Sequence, residues 1–84
     1  MEEQEIGIVD HFFNKISVGM IKLSDVLKVG DTIHIKGKQT DFSQKVESMR
    51  IEFDSVNEAK SGDKVGIKVS QPLHSNDTVY KVTV

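Results

Sequence analysis

The chain has no cysteine and no tryptophan, and only one proline and one tyrosine. Without cysteine there are no disulfides and no thiolate metal sites, and nothing points to an oxidising compartment. No apolar run approaches the ~18 residues that a membrane-spanning helix needs, so a membrane partner is not expected. The sequence opens Met1-Glu2-Glu3-Gln4-Glu5, acidic where a signal or transit peptide is basic, and a cytoplasmic location is expected. Neither sign of charge dominates: 11 basic residues face 13 acidic ones, for a net charge of −2. A general nucleic-acid binder usually carries a basic surplus, so DNA is not expected as a partner, although a local basic face is not ruled out. Arginine, the residue of choice for bidentate phosphate contacts, occurs only as Arg50.

What is present is a small globular composition, 37% hydrophobic and 29% charged over 84 residues. A chain of this length makes one domain and buries about 60–70% of its unfolded surface, which leaves no room for a deep substrate cavity beside the core. Residues 1–5 read as a flexible polar lead-in and 6–84 as the single domain.

The most informative stretch is Val26 to Gly37. Gly30-Asp31 makes a corner, and Thr32 to Lys36 follows as a strand in which Ile33 and Ile35 alternate with polar neighbours. Ile6 to Phe13 reads as a first strand, with Phe12 and Phe13 directed to opposite faces. Asn14-Lys15 suits a turn. Ile16, Val18 and Met20 alternate in one phase and Ile21 and Leu23 in the other, which predicts a bulge near Met20. Gln44 to Phe53 reads as one long strand, with a second phase break at Glu47-Ser48. A helical turn is expected over 54–60, capped by Asp54 or Ser55 with Glu58 near its start. Ser61-Gly62-Asp63 repeats the Gly-Asp corner. Val65, Ile67 and Val69 alternate in a half-buried strand, and the last strand, Thr78 to Val84, places Tyr80, Val82 and Val84 on one face and Val79 on the other. About six short strands with almost no helix predict an all-β fold closed into a small barrel, which would leave no exposed edge.

No constellation of catalytic type is present. His11, His34 and His74 are scattered, without the short spacing of zinc ligands. Asp31 and Asp63 could form a carboxylate pair if their corners met, but the favoured role is turn chemistry, with each side chain bonding nearby backbone N–H groups. The serines lack a Gly-x-Ser-x-Gly elbow. Gly37-Lys38 is followed by Gln39, not by the Ser or Thr of a phosphate loop. No catalytic residue, metal or cofactor is therefore expected, and the chain reads as not an enzyme. Lys36, Lys38 and Lys45 surround the loop Gly37 to Ser43 with Phe42 among them, which is the composition of an RNA-contacting loop. The competing reading is a solvated lysine face with Phe42 turned inward.

Gly7 and Val9, Leu27 to Asp31 with Ile33 and Ile35, Val46 with Met49, Ala59 with Gly62 to Ile67, and Asp77 to Tyr80 together resemble the second domain of translational GTPases such as elongation factor Tu. The stretch Thr40 to Met49 looks more like the short stand-alone proteins called translation elongation factor-like. The C-terminal barrel of collagenase-like peptidases is a further relative in style. The resemblance implies a six-stranded Greek-key barrel of the translation-protein type. It departs from the factors in having no GTPase domain, and Asn14-Lys15 is followed by Ser17 where a guanine-reading motif has Asp. The reading that follows is a non-catalytic binding module. It would dock on a protein or ribonucleoprotein partner, in translation among other settings, through Lys36, Lys38, Phe42 and Lys45. The alternative is an accessory barrel that sits on a catalytic partner such as a peptidase-like enzyme. A monomer is expected ahead of a homodimer formed through the Phe12-Phe13 edge.

Overall fold

Alternating apolar residues and left-handed corners produce ten strands among the described residues, which are 2–52 and 54–83 of a computed structural model. In chain order these are β1 (Glu2–Phe13), β2 (Val18–Leu23), β3 (Leu27–Lys28), β4 (Thr32–Lys36), β5 (Asp41–Lys45), β6 (Met49–Ile51), β7 (Asp54–Val56), β8 (Glu58–Ala59), β9 (Lys64–Lys68) and β10 (Thr78–Thr83). Eight of them form one sheet in the order β5-β4-β10-β1-β2-β9-β6-β7, and β3 pairs separately with β8. The all-β expectation holds. The closed barrel does not: no ladder joins β5 to the opposite flank of the sheet among the described residues.

The sheet is nevertheless strongly curled, and chain connectivity requires it. β5 and β6 lie six places apart in the strand order. At ~4.8 Å between neighbouring strands a flat sheet would separate them by about 29 Å. Only Val46 to Ser48 join them, and the four steps from Lys45 to Met49 span at most about 14 Å. The two flanks must therefore approach each other. A side chain rather than a ladder bridges the gap. The Gln44 amide donates to the Lys68 carbonyl at 2.8 Å and accepts from the Ser70 amide at 2.9 Å and from its hydroxyl at 3.2 Å. Gln44 thus engages one N–H and its carbonyl oxygen here, as a peptide group would. The phase break expected at Glu47-Ser48 is real, but it ends one strand and begins another instead of bulging a continuous one. Phe53, assigned to that strand from sequence, lies outside the described residues, as does Val84.

Other expectations are corrected by pairing. Glu2 to Glu5, read as a lead-in, pair with β10 from Thr83 to Tyr80. The bulge predicted near Met20 lies across the ladder: β2 pairs evenly with β9, while β1 shifts register between Val9 and His11 and again between Glu5 and Gly7. These shifts bury Ile6 and Val9, three residues apart, and leave Ile8 exposed. The helical turn expected over 54–60 is absent. Val56, Ser55 and Asp54 pair with Met49, Arg50 and Ile51, and Ala59 pairs with Leu27. A segment this short has little helical preference of its own, so available strand partners decide its form. Val79 faces the core and Tyr80 and Val82 the outer surface, where they are half-buried.

The core holds Ile6, Ile21, Leu27, Ile33, Ile35, Met49, Val65, Ile67 and Val79 at under 2% exposure, with Phe42 packed among them. Its loss dominates stability, whereas the Gln44 bridge is a smaller local contribution. Ile35→Ala is expected to cost about 2–5 kcal/mol in urea unfolding, and Gln44→Ala about 0.5–1.5 kcal/mol. Gln44→Ala should also speed amide exchange at Ser70 selectively. Uniform exchange rates in that variant would show that the seam is held by something else.

Candidate functional site

Three corners built to one plan set the ends of the strands. In Lys28 to Asp31, Lys60 to Asp63 and His74 to Asp77 the fourth residue is Asp. Its Oδ2 accepts the N–H of the first residue at 2.9, 3.0 and 2.9 Å, and its own N–H donates to that residue's carbonyl at 3.1, 3.0 and 3.1 Å. The third position carries positive φ in each: Gly30 at 100°, Gly62 at 92° and Asn76 at 74°. This is the type II turn pattern, in which the third residue must be left-handed. Asp31 and Asp63 are therefore occupied in their own turns, as turn chemistry predicts. The third corner escaped notice because Asn replaces Gly; His74-Ser75-Asn76-Asp77 was the available signal, since Asn also tolerates that conformation.

The lysines do not converge. Lys36 lies opposite Asp41, while Lys45 lies opposite Thr32 at the other end of the β4–β5 pair, about 13 Å along the strand. Lys36 and Lys38 line an open cleft of ≈ 480 Å³ with Gln39, His74, Asn76 and Thr78. Lys45 belongs to a different depression beside the Gln44 bridge, with Glu47 and Lys68. Phe42 is buried opposite Ile35 and joins the core, apart from the three lysines. Strand alternation turns it inward, and its apolar surface keeps it there. In the cleft, Thr40 Oγ1 bonds His74 Nδ1 at 2.9 Å. The 5%-exposed Asp77 carboxylate lies so close to Gly37 that a Cβ there would overlap it.

A group that sequence reasoning missed lies on the outer face, where β1, β10, β4 and β5 run side by side. His34, 16% exposed at its side chain, directs Nδ1 to Glu3 Oε2 at 2.6 Å and Nε2 to Asp41 Oδ1, with Tyr80 beside the ring. Only the imidazolium carries N–H on both nitrogens, so two carboxylate acceptors select the charged form. The hydrogen bond to Asp41 raises the His34 pKa above its ordinary value; burial works against that, and Glu3 adds to it. The same bond holds the Asp41 carboxyl below the usual carboxylate range. Glu3 is 31 residues from His34 in sequence, and nothing in the local pattern joins them. Among the described residues no three His, Asp or Glu side chains converge as metal ligands, and no helix is long and apolar enough to cross a membrane.

Apolar side chains gather at the β1–β2 turn. Phe12 packs against the core, whereas Phe13 and Ile16 are 44% and 61% exposed. His11 stacks edge-on against Phe13 at 4.4 Å between ring centroids.

The geometry describes a small all-β module with several open depressions on its surface. Comparison with known proteins supplies the context. No family model matches. The chain is 44% identical over 77 residues to an uncharacterised protease of Methanocaldococcus jannaschii, a match that covers 90% of this chain and 19% of that protein. It is 32% identical over 72 residues to a collagenase of Porphyromonas gingivalis, covering 83% and 20%. The chain thus spans about a fifth of the length of the curated relatives it matches. The C-terminal domain of a U32 peptidase from Geobacillus thermoleovorans has the same fold, with a TM-score of 0.90 at 19% identity over 95% of this chain and 93% of that one.

These relatives overturn the resemblance to elongation factors and the translation setting drawn from it. The residues that carried that resemblance are corners and alternating strands, which report a strand arrangement and not a function. They also overturn the reading of the chain as standing outside enzymes, because the matched proteins are named as proteases and collagenase.

The His34 group predicts a pH-dependent stability. A pKa raised on folding contributes stability that is complete below the unfolded value of about 6.5 and is lost as pH rises through the higher folded value. Asp41 contributes in the opposite sense: its lowered pKa gives stability above the unfolded value of about 3.9, lost as pH falls through the folded one. Thermal unfolding of the wild type and His34→Gln should differ most near pH 5.5 and converge by pH 9. A gap that stays constant or widens toward pH 9 would contradict this assignment.

Proposed function

We propose that the chain is the accessory β-domain of a U32-type peptidase, folding as a unit and working with a catalytic body that its longer relatives carry. The observation that supports this most directly is the 44% identity over 90% of the chain to a protein named as a protease, of which it matches only 19%. A cytoplasmic location is part of this reading, consistent with a chain that has no cysteine. The test is a domain exchange. Deleting the matching 72-residue segment from the Porphyromonas collagenase should lower gelatin cleavage at least about tenfold, equivalent to ~1.4 kcal/mol. Replacing that segment with this chain should restore most of it. Undiminished cleavage after deletion would refute the accessory role.

A second reading, contact with RNA within a ribonucleoprotein, is favoured by one observation: Lys36 and Lys38 line a common cleft with His74. It predicts binding that weakens steeply with salt. Lys36→Gln with Lys38→Gln should reduce the log–log salt slope by about 1–2, whereas Lys45→Gln, outside the cleft, should leave the slope unchanged. A slope insensitive to the double change would remove the cleft from consideration.

A further inference from the structure

We infer that the outer face of β2, β9 and β6 is the surface by which the chain docks on the peptidase catalytic body; this rests on the accessory-domain reading above. Exposed apolar side chains scattered singly are ordinary on any protein. Here exposed Phe13 and Ile16 adjoin half-buried Val18 and Met20. Phe13, Ile16, Val18 and Met20 form one side of a groove of ≈ 610 Å³ that also includes Gly66, Arg50, Glu52 and Lys68. Strand register explains the grouping. Met20 lies opposite Gly66, Gly66 opposite Arg50, and Val18 opposite Lys68, so these positions are neighbours on one face.

Gly66 keeps the floor of the groove low. A Cβ there would come within 3.3 Å of Val18 Cγ1 and 3.4 Å of Met20 Sδ. The flanking strands thus stand on either side of a shallow trough. Phe13 and Ile16 project from the β1–β2 turn at its end and leave 44% and 61% of their surface in water. A small domain gains nothing in isolation from that exposure, and contiguous apolar surface rimmed by charge marks an interaction site.

Two features identify the occupant. About four-fifths of each matched relative lies outside the region this chain covers, and two domains in one protein commonly share an interface of roughly 600–1,500 Å². The groove also carries two cations, Arg50 and Lys68, against the single carboxylate of Glu52, and neither cation is in an ion pair among the described residues. The complementary surface is therefore apolar side chains with at least one carboxylate directed at Arg50, presented by the catalytic body. The cleft at Lys36 and Lys38 offers no comparable apolar lining.

The test co-expresses this chain with the Methanocaldococcus protease lacking its matching segment and measures recovery of an equimolar complex and its dissociation constant. Wild-type chain should be recovered with the body. Ile16→Asp, Phe13→Asp and Arg50→Glu should each weaken the complex at least about tenfold, and Lys38→Glu, outside the groove, should not. A photoreactive benzoylphenylalanine at position 16 gives a reading that does not depend on the charged variants folding, and its cross-link should map to the catalytic body. Groove variants that bind like wild type, or a cross-link to a second copy of this chain, would overturn the docking assignment while leaving the accessory role standing. Failure to recover wild-type chain with the body would remove the accessory role itself, and the docking assignment with it.

Discussion

Three residues, Val46 to Ser48, connect strands that lie six places apart in the sheet order. That short link governs the rest of the molecule. It forces an eight-stranded sheet to roll until its flanks meet, and rolling gives so short a chain an enclosed apolar interior. It also leaves a seam, because the flanks arrive without a backbone ladder between them. Gln44 fills the seam by imitating a peptide group, bonding Lys68 and Ser70 where a neighbouring strand would have done so.

The corners complete the same geometry. Each Asp accepts the backbone N–H three residues earlier while a left-handed residue before it reverses the chain. Three reversals of one kind carry the chain from strand to strand without a helix. They also explain why the acidic residues that look chemically available are structurally committed. Gly37 extends this logic, since the Asp77 carboxylate occupies the space a side chain would need. On the outer face, His34 holds carboxylates from β1 and β5 together across β10 and β4, so charge as well as hydrogen bonding links strands distant in sequence.

The relatives named as proteases and collagenase are about five times longer than the segment they share with this chain. The module itself presents an apolar groove at one turn and a lysine-lined cleft elsewhere. The resemblance to elongation factors rested on Gly-Asp corners and alternating strands. Strand alternation and turn chemistry identify a fold and are silent about its employment.

Local sequence determined the all-β character, the inward-facing Ile33, Ile35, Val65 and Ile67, the two Gly-Asp corners and the phase break at Glu47-Ser48. Each of these follows from alternation or turn chemistry within a few residues, where the physical cause and the sequence signal coincide. Tertiary structure decided what depends on distant partners. Pairing with Met49 to Ile51 and with Leu27 made strands of a segment that read as a helical turn. Register shifts in β1 chose Val9 over Ile8 for the core. The His34 group, the Gln44 seam and the separation of Lys45 from Lys36 all arise from strands brought together by the roll of the sheet. A periodic pattern states which side of a strand is apolar, but not which strand lies beside it.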